Sequence, residues 1–180
     1  MKKIVSCILG IAVIIIILST KSNAASSTAT MKVTVKENYT YAYNVLKLVN
    51  IEREIQGVPK LTMDKELLDA AMLRASELVI YYSHTRPNGK TPGTTCGKVY
   101  AENIAAFSKI PRSTVEGWMC SSSHRKTMLS KEYISTGIGV VECDGNLYWV
   151  QLFGKNRLNK IAKQPEDRTV TKSITALTNK

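Results

Sequence analysis

The 180-residue chain holds two histidines, one in "YYSHTRPNGK" and one in "SSSHRKTML", and each directly follows a serine. Imidazole changes charge near neutral pH, so His84 and His124 point to three chemistries: base for a nucleophile, metal ligand, or polar turn residue. Nucleophilic catalysis needs the serine hydroxyl within hydrogen-bond reach of a base that a third group orients. Adjacent residues on a turn usually point apart, so Ser83–His84 and Ser123–His124 are not dyads by sequence alone. Neither a G-x-S-x-G elbow nor an HExxH zinc motif occurs.

His84 falls just past the end of an amphipathic segment, where exposed helix carbonyls favour a charged ring. His124 falls at the start of a short helix, where free N–H groups favour the neutral ring that a metal or a proton-accepting role requires. The third candidate is Glu102, in the strand-like run "VYAENIAAF". A carboxylate among apolar residues is not buried without a partner. Either its face opens on a cleft, or a cation or histidine holds it. Glu116 has a structural explanation, since Ser113 three residues earlier completes a capping box.

These residues need elements to position them. "YTYAYNVLKLVNIEREIQG" sets Ala42, Val45, Leu46 and Val49 at helical spacing and ends at Gly57. A second helix opens at Asp64, with Leu68, Ala71, Met72, Ala75, Val79 and Tyr82 on one face. A Pro- and Gly-rich loop carries His84. The strand "VYAENIAAF" alternates, placing Tyr100, Glu102 and Ile104 on one face and Ala101, Asn103 and Ala105 on the other. "STVEGWM" and "HRKTML" predict short helices, the second capped by the serines at 121–123. "GIGVVEC", Asp144-Gly145 and "NLYWVQLF" predict a hairpin. Trp118, Trp149 and Phe153 belong to the core, and Gln151 shares the face of the last two. The fold class is α+β, helices covering a small antiparallel sheet.

The chain divides into four parts. Residues 1–24, with Lys2, Lys3 and the apolar run Ile4 to Leu18, form a signal peptide; the run is short of the roughly twenty residues a membrane span needs, so no stable anchor remains after cleavage. Residues 25–38 form a linker, 39–154 the folded domain, and 155–180 a basic, flexible tail. The net charge is +11. Three unopposed lysines leave with the signal, and the tail contributes seven basic residues against Glu166 and Asp167, so the body is only mildly basic. With no stacking platform, nucleic acid is not an expected partner. Cys96, Cys120 and Cys143 predict one disulfide and one spare thiol in an exported protein, with the pairing open.

"SHTRPNGK", "AENIA", "VEGWMCSSSHRKTML" and "GIGVVECDGNLYWVQLFG" occur in an order that resembles the bacterial secreted branch of the CAP superfamily. That superfamily includes cysteine-rich secretory proteins, venom allergens (the antigen group) and plant pathogenesis-related proteins. The likeness covers residues 40 to 154. It implies an α-β-α sandwich (SCP-like fold) with a cleft of two His and two Glu, matched here by His84, Glu102 and His124. The second family glutamate follows the tryptophan of the short helix; here "MCSSSHR" follows Trp118, with no acid.

Three functions follow. The resemblance implies a secreted, non-enzymatic binding module in which His84 and His124, with Glu102 as ligand or outer partner, hold zinc. Its ligand is a lipid or glycan of the envelope or a host surface. A hydrolase or protease using the His/Glu cleft is the alternative, and the missing carboxylate counts against it. A purely structural envelope protein is the third, its histidines bracing loop and sheet, Arg86 and Pro87 fixing the loop, and Arg125 clamping a carboxylate. The tail is solvated, or contacts anionic cell-wall polymers.

Overall fold

The structure, a computed structural model, describes residues 27–156 and 159–178. The expected signal peptide lies outside these residues. No helix among them is long and apolar enough to cross a membrane.

Six strands form one sheet: β1 (Thr28–Glu37), β2 (Thr62–Met63), β3 (Ala101–Ala106), β4 (Ser135–Cys143), β5 (Asn146–Gly154) and β6 (Arg168–Leu177). The order is β3-β5-β4-β1-β6, antiparallel throughout, and β2 adds a short parallel pairing to β4. Four helices pack on it: α1 (Tyr39–Ile55), α2 (Lys65–Ile80), α3 (Pro111–Cys120) and α4 (Ser122–Met128). The α+β class read from the sequence holds.

Both faces of the central strands are covered, which explains why "STGIGVV" of β4 is buried without alternation. Gly137 and Gly139 face α2 at such close range that a Cβ on either would sit 1.9 or 2.0 Å from the carbonyl oxygen of Leu67 or Ala71. Period two then turns Val140 and its cross-strand partner Trp149 to the opposite face. There Tyr41 of α1 stacks on Trp149 with ring centroids 5.8 Å apart. Trp118, Trp149 and Phe153 are core residues, as expected. Asp144 and Gly145 take φ of 48° and 72°, the paired left-handed conformation a two-residue hairpin turn requires. Asp64 caps α2 by accepting from the Glu66 and Leu67 N–H groups.

Several expectations are corrected. Residues 28–37, read as a linker, are β1, and residues 168–177, read as flexible tail, are β6; ten register pairs join them. Their sequences are polar because one face meets solvent, while Val33, Val35 and Ile174 on the other are buried. The capping box does not form: Pro111 opens α3, so Ser113 is already inside it and Glu116 is an exposed partner of Arg112 at 4.0 Å. No serine side chain caps α4. Tyr82 lies beyond α2 and is exposed. The three cysteines are all unbridged: Cys96 closes a 3-10 turn, Cys120 ends α3 and Cys143 ends β4.

Candidate functional site

Strand β3 is an edge of the sheet, and the site is built around it. Its alternation holds. Glu102 is in register with Leu152, which pairs with Gly137, so it points toward α2. Asn103, in register with Gln151, points to the other face, where its amide donates to the His124 carbonyl of α4 at 3.3 Å. The two histidines therefore approach the edge strand from opposite layers.

On the α2 side, Arg74 is fully buried and organises the carboxylates. Its Nε donates to Glu102 Oε2 at 2.9 Å and its Nη1 to Glu77 Oε2 at 2.8 Å. Its Nη2 reaches the Ser83 carbonyl at 2.9 Å, immediately before His84. Arg86 closes the loop onto Glu77 at 2.6 Å, as a loop-fixing role predicts. His84 Nδ1 then lies 3.0 Å from Glu102 Oε1, with a side chain 59% exposed against 4% for the carboxylate. Glu102 is thus held by both a cation and a histidine, and its face also opens on a cleft. That cleft, of about 320 Å³, is lined by His84, Glu102, Thr91, Pro92, Val99 and Tyr100, among others.

On the other side, α4 is fixed from below. Buried Arg53 of α1 donates to the carbonyls of Met128 at 2.7 Å, Ser130 at 3.0 Å and Tyr133 at 3.1 Å. His124 is half-buried, and its pKa is lowered, first by burial and then by the nearby His84. Arg125 does not clamp a carboxylate; it donates to the Met119 carbonyl at 3.2 Å. Gln151 is fully buried, and neither amide atom meets a partner within the protein.

The fit to a metal can be tested on these contacts. Among the described residues, no group of three or more His, Cys, Asp or Glu side chains is disposed to hold an ion. Glu102 is engaged by Arg74 and His84 on its two oxygens, which suits the carboxylate that orients a ligating imidazole rather than a ligand itself. If His84 donates from Nδ1 to Glu102, its Nε2 is the free ligand nitrogen. Two imidazoles are what the site offers. Serine catalysis fits less well, since Ser83 Oγ accepts from Thr85 N–H at 3.1 Å and Ser123 Oγ meets Ser121 Oγ at 3.3 Å.

Sequence reasoning missed Arg74 and Glu77. The signal was present, because Arg74 and Glu77 stand three residues apart amid Ala70, Ala71, Ala75 and Leu78 on the buried side of α2. Charges there must be paired.

A model of the CAP family (cysteine-rich secretory protein family) matches residues 46–153. The uncharacterized protein YkwD of Bacillus subtilis (strain 168) is 32% identical over 123 residues, 64% of this chain and 48% of YkwD. An extracellular protein containing an SCP domain, from Bacillus anthracis, superposes with a TM-score of 0.59 at 26% identity, covering 65% of this chain and 41% of that one. An outer surface protein of Borrelia burgdorferi shares the fold, with a TM-score of 0.58 at 21% identity over 67% of this chain and 97% of its own. The chain spans less than half the length of YkwD and of the B. anthracis protein.

Proposed function

Because the chain belongs to the CAP (cysteine-rich secretory protein) family, we propose that it is a secreted binding protein whose two histidines hold a divalent ion such as zinc at the edge of the sheet. The observation that carries this is the 3.0 Å contact between His84 Nδ1 and Glu102, backed by Arg74. A carboxylate behind Nδ1 fixes the tautomer and leaves Nε2 for the metal. His124, its protonation disfavoured by burial and by His84, supplies the second imidazole. Zinc is a borderline ion that accepts imidazole nitrogen, and with two protein ligands its other positions remain for water or for oxygens of a ligand.

Secretion is supported by the signal-like residues 1–24 and by the extracellular B. anthracis relative. The cleft beside His84, with exposed Tyr100 on its rim, suits a glycan or lipid headgroup of the envelope or a host surface, an aromatic face on one side and polar groups on the other. The reading is tested by calorimetric zinc titration of the chain from Ala25. Saturable binding that disappears in His84→Ala/His124→Ala supports it; equal affinity in wild type and double variant overturns it.

A further inference from the structure

Strands β1 and β6 lie outside the segment matched to the family, residues 46–153, and form a two-stranded ribbon on the sheet's second edge. One face of the ribbon is buried: Val33, Val35 and Ile174 pack into the core, and Glu37 on the same face is paired to Arg168 at 2.8 Å and Lys172 at 2.7 Å. Those two cations share the one carboxylate. The other face is exposed and of one chemical kind. In register, Thr30 stands opposite Thr175, Lys32 opposite Ser173, and Thr34 opposite Thr171. The Thr34 and Thr171 hydroxyls meet at 2.9 Å. Lys36 continues the row, and neither it nor Lys32 has an ion-pair partner among the described residues. Glu142, in register with Lys36 on β4, borders the row without forming an ion pair with it.

We propose that this outward face of β1 and β6 is a docking surface for a linear, hydroxyl-bearing phosphodiester polymer. The two ammonium groups stand four residues apart on an extended strand, about 13 Å at ~3.3 Å per residue. Between them on β1 and opposite them on β6 stand hydroxyls, which donate and accept hydrogen bonds with a polyol, and Glu142 flanks Lys36 on the β4 side. The strands make the row straight, as a chain polymer needs, and the unpaired positive charge complements its phosphates. An apolar partner has nothing to bury there. A single-stranded nucleic acid lacks the aromatic side chains on which its bases stack. Of the basic residues first assigned to a flexible tail, Arg168 and Lys172 are engaged by Glu37, and Lys32 and Lys36 of β1 add an outward-facing pair of cations.

The test uses the chain from Ala25 and poly(glycerol phosphate) of defined length, with binding followed by calorimetry across a salt series. The wild type binds, and Lys32→Gln/Lys36→Gln weakens binding and flattens the dependence of log affinity on log salt by up to about 1.4, at ~0.7 per phosphate contact on a single strand. Lys126→Gln/Lys131→Gln, an equal charge change elsewhere, leaves affinity near wild type. Absence of binding by the wild type, equal loss in both double variants, or equally tight binding of a single-stranded RNA overturns the proposal.

Discussion

His84 and Glu102, eighteen positions apart in sequence, are joined by a 3.0 Å contact in which an exposed imidazole leans on a buried carboxylate. The carboxylate is held from behind by Arg74, so the ring's position is set by α2 as well as by its own loop. Glu102→Gln keeps the size of the side chain but removes the charge that fixes the imidazole. Loss of such an outer partner typically costs 10–100-fold in metal affinity, so zinc titration of Glu102→Gln is expected to show a drop of about that size.

Arg74 carries the opposite charge for two buried carboxylates, Glu102 and Glu77. Arg74→Met leaves both without their shared cation. Removing one partner of a buried pair costs about 3–5 kcal/mol, and a urea titration is expected to show a loss in that range. A change within about 0.5 kcal/mol, typical of surface sites, is incompatible with the buried network.

Gly139, like Gly137, marks a close approach of α2 to the sheet. A Cβ there would stand 2.0 Å from the Ala71 carbonyl oxygen, and backbone on both sides cannot yield as a side chain would. Overpacking costs typically 1–3 kcal/mol, so Gly139→Ala is expected at or above the top of that range, ~3 kcal/mol, by thermal melting.

Glu37 gives the fold an acid-sensitive joint between β1 and β6. Burial raises its pKa, but the bonds from Lys172, Arg168 and Tyr39 outweigh that, and the net shift is downward from 4.5. A carboxylate with a lowered folded pKa contributes stability that is complete above its unfolded value and disappears as pH falls through the folded one. Stability measured by urea from neutral pH down through the carboxylate range should fall more steeply in wild type than in Glu37→Gln. Equal slopes would contradict the ion-pair assignment.

The central elements were legible because their patterns are local: helical spacing in α1 and α2, the Asp64 cap, the Asp-Gly turn and the period two of β3. The ribbon was not. β1 and β6 are more than 130 residues apart, as Glu37 and Arg168 show, and each strand alone exposes so many Thr and Lys side chains that it reads as solvated chain. Only the pairing reveals that Val33, Val35 and Ile174 share a buried side. His84, Glu102 and His124 were found as candidates, but their division between the two faces of an edge strand depends on the register of β3 with β5. Arg74 was hidden because a helical face was counted by its apolar residues alone.

If β6 belongs to the folded unit, ending the chain at Gln164 exposes Val33 and Val35 and removes Ile174. At about 1.5–3 kcal/mol for each apolar side chain buried, the truncated chain should lose several kcal/mol of stability in urea. It also removes the Leu177 N–H that donates to the Pro87 carbonyl at 3.0 Å in the His84 loop. Faster amide exchange in residues 84–90 of a truncated chain that still folds is the second expected outcome.

The most direct measurement of the two-histidine site uses the fact that the chain has only two imidazoles. A long-range nitrogen–proton spectrum of both rings, recorded during a zinc titration, reports each ring nitrogen separately. Shifts at Nε2 of His84 and at one ring nitrogen of His124, saturating together while Nδ1 of His84 keeps its proton toward Glu102, are the predicted result. Rings that do not respond, or only one that does, would contradict the convergence of His84 and His124 on a single ion.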